Sequence, residues 1–313
     1  MDSKKPSITV VVPVYRSEKL LRPLVERLRP VLEAHASRHE LVLVDDASPD
    51  GSWDVVCALA REHAWIRGLR LMRNYGQHSA ILCGIRAAQH ELIATMDDDL
   101  QHPPEELPKL LGALDEETDV VYGSPEHERH GLARDLASQI AKMVLQGAMG
   151  AETARKVSAL RVFRTSLRDA FAGYSGQFVS IDVLLTWGTT RFRSVRVRHE
   201  ERREGQSNYT WRKLLTHALN MMTGFSAFPL QIASLVGFAF TLFGLAVFAF
   251  VLGRYFVSGS PVQGFTFLAS VIAIFSGAQL FALGILGEYL ARIHFRVLNR
   301  PPYAVRVATG TPR

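Results

Sequence analysis

Two clusters of aspartates are the residues of this chain with the clearest potential for chemistry. The first cluster is Asp45 and Asp46, and the second is Asp97, Asp98 and Asp99; each follows directly on a short apolar run. Ligands of open parallel sheets bind at the carboxyl ends of the strands, so we expect the two clusters to lie close together. That many carboxylates repel one another unless a cation or hydrogen-bond donors offset the charge.

The second cluster has the spacing of a divalent metal site. Residues i and i+2 of an extended segment point the same way, so Asp97 and Asp99 can share one cation while Asp98 faces elsewhere. Gln101 offers a further oxygen, and hard oxygen ligands suit Mg²⁺ or Mn²⁺ bound together with substrate phosphates. Such a cation would act as a Lewis acid on a departing diphosphate. The alternative is an acidic loop that caps the helix start at Pro104.

The first 190 residues alternate short apolar runs with helical patterns, which predicts an α/β domain with a mostly parallel sheet covered on both faces. Neither GxGxxG nor GxxxxGK[ST] occurs, which argues against a dinucleotide-binding domain and a P-loop NTPase. The predicted strands are Ile8–Val12, Leu41–Val44, Ile66–Leu71, Leu92–Met96 and Val120–Tyr122, and the predicted helices are Leu20–Leu32, Ser52–Glu62, Ser79–Ala88 and Glu105–Leu114.

Two later segments are long and uncharged. Leu230–Leu252 and Phe265–Gly287 each supply the roughly 20 helical residues that cross a bilayer core. The alternative is a pair of buried core helices, but a domain of this size rarely hides helices that are apolar on every side. The pattern predicts a two-helix transmembrane hairpin.

Charge is unevenly distributed along the chain. Residues 1–190 hold 22 basic and 26 acidic residues, residues 191–220 hold 8 and 3, and residues 221–313 hold 6 and 1. The acidic first part argues against a nucleic-acid partner. Because Lys and Arg favour the cytoplasmic side, the N-terminal domain and the tail are predicted to lie in the cytoplasm, with the chain a multi-pass protein of the cytoplasmic membrane.

The basic segment Arg191–Lys213 has two interpretations. It is either a solvated strand with Arg on its outer face, or a juxtamembrane belt that attracts anionic headgroups at about 1 kcal/mol per basic residue. Trp211–Met222 is predicted to be an amphipathic helix at the membrane interface. Cys57 and Cys83 are predicted to be reduced core thiols, because neither has a nearby ligand cluster.

Several motifs resemble one family in order and spacing. PVYRSE from Pro13, VDDASPDGS from Val44 and MDDDLQHPPEE from Met96 resemble glycosyltransferase family 2, whose members are inverting enzymes with a GT-A fold. The stretches Arg203–Tyr209 and Gly277–Tyr303 resemble its polyprenyl-phosphate glycosyltransferase branch, which includes dolichol-phosphate mannose synthases. The resemblance implies transfer of a sugar from a nucleotide sugar, with UDP favoured as the nucleotide, to a polyprenyl phosphate such as undecaprenyl phosphate. It also suggests a homotetramer.

The resemblance assigns roles to residues of this chain. It implies catalytic roles for Asp97, Asp99, Arg134 and Arg203; nucleotide binding by Pro13, Tyr15, Glu18, Asp45, Asp46 and Asp98; binding of the acceptor phosphate by Arg134, Ser138, Arg203 and Ser207; and binding of Mg²⁺ or Mn²⁺ by Asp97, Asp99 and Gln101. Relatives often have Arg where this chain has Pro125, and Arg129 is a candidate replacement. Asp182 is either a residue that reads sugar hydroxyls or an ordinary helix residue.

The predicted organisation follows from these observations. We expect a catalytic GT-A domain over residues 1–210, a juxtamembrane helix over 211–229, membrane spans over 230–252 and 265–287 around a non-cytoplasmic loop at 253–264, and a basic cytoplasmic tail over 288–313. The alternatives to a lipid-linked sugar synthase are a polysaccharide synthase and a non-catalytic membrane scaffold. Two spans and no QxxRW sequence argue against the polysaccharide synthase, and the retained aspartates argue against the scaffold.

Overall fold

A computed structural model describes residues 5–125, 157–176, 179–200, 228–258, 265–298 and 300–310. The chain divides into two compact units, one formed by Met1–Leu215 together with Asn299–Arg313 and the other by Thr216–Leu298.

The first unit is built on an eight-stranded sheet in the order β7-β5-β6-β4-β1-β2-β3-β8. Strands β1, β2, β3 and β4 form its parallel centre, β5 and β7 form a second parallel pair, and β6 and β8 run antiparallel to their neighbours. The strands are β1 Ser7–Val14, β2 Arg38–Asp45, β3 Ile66–Leu71, β4 Leu92–Thr95, β5 Val120–Pro125, β6 Arg161–Arg164, β7 Phe192–Val197 and β8 Val305–Thr309.

Helices connect these strands and cover the sheet. The side chains of β1 from Ile8 to Val14 are fully or almost fully buried, as expected for a strand covered on both faces. The predicted α/β fold with a mostly parallel sheet is confirmed, and all five predicted strands are present as β1 to β5. The helices of this unit are α1 Leu21–His35, α2 Ser52–Glu62, α3 Gln77–Ala87, α4 Leu107–Gly112 and α5 Ile181–Thr186, with 3-10 turns at Pro104–Glu106 and Thr165–Phe171.

The end of the chain departs from the predicted organisation. Residues 288–313 are predicted to be a basic tail, yet Val305–Thr309 forms strand β8 and pairs with β3 at the edge of the sheet. Val305–Ala308 are exposed and Thr309 is half-buried, as suits a strand at the edge of the sheet. The residues after the last helix therefore belong to the same folded unit as the N-terminal strands.

The second unit contains two long apolar helices, α6 (Phe228–Ser258) and α7 (Phe265–Val297). Both are longer than predicted, and α7 extends ten residues beyond Gly287. The segments Pro229–Gly253 and Ile274–Ala291 are long and apolar enough to cross a membrane, and neither is buried. These helices are therefore not core helices of a globular domain, which supports a membrane protein. Phe275 of α7 packs against Phe240 and Phe243 of α6.

The basic strand β7 is held by ion pairs within the first unit. Arg191 makes a bidentate pair with Asp119, with nitrogen–oxygen distances of 2.9 and 3.0 Å. Arg193 lies 2.7 Å from an oxygen of Asp115, and Arg198 lies 2.7 Å from one of Glu106. These three arginines fit the solvated-strand interpretation, since each already has a carboxylate partner. The predicted amphipathic helix at 211–222 lies outside the described residues.

Candidate active site

A cleft of about 240 Å³ lies where the carboxyl ends of β1, β2 and β4 meet. It contains members of both aspartate clusters, so the sheet brings them together as the sequence predicts. Its lining residues are Pro13, Val14, Tyr15, Asp46, Asn74, Gly76, Gln77, Asp97, Asp98 and Asp99.

The three loops that follow these strands each hold a residue in the left-handed region of backbone conformation. Arg16 after β1 has φ +59°, Ala47 after β2 has φ +54°, and Leu100 after β4 has φ +59°. Non-glycine residues rarely adopt this conformation, and such strain concentrates at functional sites. The backbone is therefore bent sharply at the carboxyl ends of these strands, where the aspartates lie.

Asp46 lines the cleft and holds a neighbouring segment in place. Its two carboxylate oxygens accept hydrogen bonds from the backbone N–H groups of Tyr75, at 2.7 Å, and Gly76, at 2.8 Å. Gly76 has φ +93°, a conformation that requires glycine, and it leads directly into α3. Burial raises the pKa of Asp46, while the two N–H donors act in the opposite direction. Asp46 thus fixes the segment Asn74–Gln77, which we call the cleft wall.

Asp45 is fully buried and is not among the residues that line the cleft. It accepts a hydrogen bond from the backbone N–H of Ser48 at 3.1 Å, and its other oxygen lies 3.2 Å from Nε of Arg70. Burial raises its pKa, against the effects of Ser48 and Arg70. The predicted nucleotide-binding residue is therefore engaged with its own loop and with β3.

Asp98 faces the loop after β1. Its carboxylate accepts hydrogen bonds from the hydroxyl of Ser17 and, at 3.4 Å, from the backbone N–H of Tyr15. Burial raises the pKa of Asp98 to about 6, and the hydrogen bond from Ser17 acts against this rise. Asp98, which the resemblance places among nucleotide-binding residues, thus ties the aspartate loop to the loop that carries Tyr15.

Asp97 and Asp99 both line the cleft. Oδ1 of Asp97 accepts a 2.5 Å hydrogen bond from the side-chain amide of Gln77, and Oδ1 of Asp99 accepts one from the backbone N–H of Gln101 at 3.1 Å. Among the described residues no group of three or more His, Cys, Asp and Glu side chains is placed to hold a metal ion. Two carboxylates nevertheless fit Mg²⁺ or Mn²⁺, which commonly take one or two carboxylates and complete their shell with substrate phosphates and water.

Tyr15 and Glu18, both predicted to bind the nucleotide, differ in their position relative to the cleft. Tyr15 lines the cleft and is 44% exposed, so its ring is available to a ligand. Glu18 is also exposed but is not among the lining residues; it accepts a hydrogen bond from the backbone N–H of Gly51 at 3.2 Å.

The sequence reasoning missed the cleft wall. Asn74, Gly76 and Gln77 line the cleft, and Gln77 contacts Asp97 directly. The signal was present, because Asn74 and Gly76 shortly after the third strand are residue types typical of turns, and glycine readily adopts a positive φ.

Asp182 lies in a buried cluster. Its Oδ1 accepts hydrogen bonds from the guanidinium of Arg161 and, at 3.1 Å, from the hydroxyl of Tyr122. Arg161 is 2% exposed, Asp182 6% and Tyr122 0%. The structure therefore supports a role for Asp182 within the fold, and its carboxylate is already shared by two donors.

The residues predicted to bind the acceptor phosphate, Arg134, Ser138, Arg203 and Ser207, lie outside the described residues, as does Arg129. Pro125 is described and ends strand β5.

Comparisons with known proteins show the family of the chain. Residues 9–171 match the model of the family described as "Glycosyl transferase family 2". The chain is 35% identical over 306 residues to an undecaprenyl-phosphate 4-deoxy-4-formamido-L-arabinose transferase of Yersinia enterocolitica, covering 97% of this chain and 94% of the relative. A protein of the same description from Yersinia pestis is 33% identical over 307 residues, with the same coverage.

Solved structures share the fold at low sequence identity. Glucosyl-3-phosphoglycerate synthase of Mycobacterium tuberculosis, in a complex with Mn²⁺, UDP and glucosyl-3-phosphoglycerate, superposes with a TM-score of 0.52 at 16% identity, covering 70% of this chain and 78% of that one. Its complex with Mn²⁺ and UDP-glucose gives a TM-score of 0.51 at 18% identity, covering 70% and 77%. The α/β sheet, the aspartate cleft and the matches over nearly the whole chain lead to one conclusion: the chain belongs to glycosyltransferase family 2 and is a glycosyltransferase of the GT-A type.

Proposed function

We propose that this protein transfers a sugar from a nucleotide sugar, UDP-linked, to a polyprenyl phosphate such as undecaprenyl phosphate. The observation that carries the proposal is the cleft at the carboxyl ends of the central strands, where Asp97 and Asp99 face the same space as Tyr15. Its relatives from Yersinia, by their description, use undecaprenyl phosphate, and a structural neighbour binds UDP with Mn²⁺.

The cleft offers the parts that a nucleotide diphosphate needs. The exposed ring of Tyr15 can stack on a base, and Pro13 and the cleft wall bound the same pocket. Asp97 and Asp99, with Gln101, would hold Mg²⁺ or Mn²⁺ against the diphosphate. A divalent cation bound there would neutralise the negative charge that develops on the leaving diphosphate. Gln77 orients Asp97 by the hydrogen bond that it donates.

The proposed acceptor requires no strong protein base. A phosphate monoester with a second pKa of about 6 is already an anionic oxygen nucleophile at neutral pH. One of its oxygens forms the new bond to the anomeric carbon as the bond to the nucleotide diphosphate breaks, and in-line attack inverts that carbon. Arg134 and Arg203, with Ser138 and Ser207, are proposed to bind the acceptor phosphate, for which a guanidinium fork is well suited. The engagement of Asp182 with Arg161 and Tyr122 supports a mechanism without a carboxylate base.

Strand β8 supports a particular membrane topology. The residues before α6 and those after α7 contribute to one folded unit, because β8 pairs with β3. A chain that leaves and re-enters the same folded unit crosses a bilayer an even number of times, which two spans satisfy. We propose that the unit faces the cytoplasm, in line with Arg300, three residues after α7, and Arg306 within β8. The homotetramer remains a prediction.

The proposal is tested with the full chain in detergent, labelled nucleotide sugars, undecaprenyl phosphate and Mn²⁺. We expect one sugar to enter the lipid phase, and Asp99→Asn to reduce the rate by at least about 100-fold through loss of a metal ligand. Asp54→Asn, a change of an acidic residue in the first turn of α2, is the matched control and should retain full activity. Label transfer that needs no lipid acceptor, or that yields a polymer, would contradict the proposal and favour a polysaccharide synthase.

A further inference from the structure

The C-terminal segment contacts the two elements that flank the cleft wall. The wall, residues 74–77, is bounded by β3, which ends at Leu71, and by α3, which begins at Gln77. Besides its hydrogen bonds to Asp46 and Asp97, the wall is tied to α3, because the carbonyl of Gly76 accepts hydrogen bonds from the N–H groups of Ser79 and Ala80 at 3.0 and 3.1 Å. Only Met72 and Arg73 separate it from the end of β3, so its position depends on both neighbouring elements.

Strand β8 fixes the end of β3, the element before the cleft wall. Val305 pairs with Leu71, the last residue of β3, and the N–H of Met72 donates a 2.9 Å hydrogen bond to the carbonyl of Ala304. The register of the pair shifts between Arg70 and Leu71, at the point where β3 turns towards the cleft wall. The backbone just before the wall is therefore fixed by residues that lie more than 230 positions later in the chain.

Tyr303 contacts α3, the element after the cleft wall. Its ring lies beneath the guanidinium of Arg86 on α3, with 5.7 Å between the guanidinium carbon and the ring centroid. Burial raises the pKa of its hydroxyl, the neighbouring Cys83 thiol raises it further and Arg86 lowers it, so both side chains of α3 lie beside it. Arg86 in turn donates to the carbonyls of Ala172 and Tyr174, so α3 is fixed to the 3-10 turn region through the same residue. Tyr303 thus restrains the helix whose first residue is Gln77.

We propose that Tyr303 and strand β8 are positioning elements of the donor site: they hold the cleft wall where Gln77 meets Asp97 and where the N–H groups of Tyr75 and Gly76 meet Asp46. None of these C-terminal residues lines the cleft described above, so they act on the ligand only through the wall. The inference rests on the proposed function, because it takes the cleft to be the site for the nucleotide sugar.

The experiment compares Tyr303→Ala with wild type, both as full chains in detergent. We expect the Kd for UDP with Mn²⁺ to rise about 5- to 20-fold by calorimetry, and the KM of the nucleotide sugar to rise in parallel, while the KM of undecaprenyl phosphate stays unchanged. Tyr303→Phe keeps the ring beneath Arg86 and should restore the UDP affinity to within about 3-fold of wild type. Should Tyr303→Ala fail to fold, Tyr303→Leu fills most of the same volume and provides the same comparison.

Trp65→Ala is the matched control. Trp65 precedes β3 at the opposite end of the strand and contacts His39 and His63, so its loss destabilises the same sheet without touching the wall. We expect Trp65→Ala to lower the thermal midpoint while leaving the affinity for UDP unchanged. The inference is overturned if Tyr303→Ala and Tyr303→Leu bind UDP as wild type does, or if Trp65→Ala weakens UDP binding equally. Failure of the wild-type protein to bind any nucleotide would instead reject the proposed function itself.

Discussion

The buried cluster of Arg161, Asp182 and Tyr122 permits a direct test of whether Asp182 serves the fold or the chemistry. Asp182→Leu removes the carboxylate and leaves the guanidinium of Arg161, 2% exposed, without its counter-ion. It also removes the acceptor for the hydroxyl of Tyr122, whose pKa is raised well above its usual value by burial first and by Asp182 next, so that the phenol stays protonated and donates.

The expected magnitude follows from the burial of both partners. Breaking a buried ion pair by removing one partner costs about 3–5 kcal/mol, because the remaining charge is buried without compensation. For a folded unit of this size 1 kcal/mol corresponds to about 2–4 °C, so the thermal midpoint should fall by roughly 6–20 °C. Replacing both charges, as in Arg161→Met with Asp182→Leu, leaves no uncompensated charge and should recover most of the loss.

The assay is thermal unfolding of each variant in detergent, followed by sugar transfer at a temperature where the variant is folded. We expect Asp182→Leu to lose stability, the double variant to regain it, and the folded double variant to retain transfer activity within about 10-fold of wild type. A midpoint within about 2 °C of wild type for Asp182→Leu, together with loss of transfer in both variants, would refute the reasoning and indicate a catalytic carboxylate.

Three further outcomes follow from the contacts of single residues. Gln77→Leu should weaken Mn²⁺ binding about 10-fold, as followed by electron paramagnetic resonance, because Asp97 loses the donor that orients it; unchanged affinity would exclude that role. Asp98→Ala should raise the KM of the nucleotide sugar several-fold without changing Mn²⁺ affinity, because it frees the loop of Tyr15; a loss of Mn²⁺ binding would make Asp98 a ligand. Arg193→Ala should cost less than about 1 kcal/mol of unfolding free energy, since its ion pair is exposed.

Local patterns were enough to predict the centre of the fold. The apolar runs in β1, β2 and β4 specify buried parallel strands. Because aspartates follow two of these runs, both clusters were predicted to lie at the carboxyl ends of the strands. Spacing alone predicted that Asp98 faces elsewhere than Asp97 and Asp99. Its carboxylate does contact Ser17, yet Asp98 lines the same cleft as the other two, because residues 98 and 99 lie in a turn and not in an extended segment.

The remaining features depend on partners that lie far apart in the sequence. Strand β6, RVFR, begins with an arginine that is buried only because Asp182 neutralises it, and no local pattern shows that pairing. Strand β8 has a clear alternation, yet its partner β3 lies on the far side of two long apolar helices in the sequence. The link between Asp46 and the cleft wall is a tertiary contact between an acidic motif and a turn that was not assigned to the site.

The late position of β8 has a consequence for synthesis of the protein. Until residues 305–309 emerge from the ribosome, the edge of β3 lacks its partner, and unpaired edges invite pairing with other chains. At about 5–20 residues per second, the roughly 230 residues between Leu71 and Val305 take about 12–46 s to make. The sheet can be completed only after both apolar helices have been synthesised, so any chain that terminates early keeps an open edge beside the cleft wall.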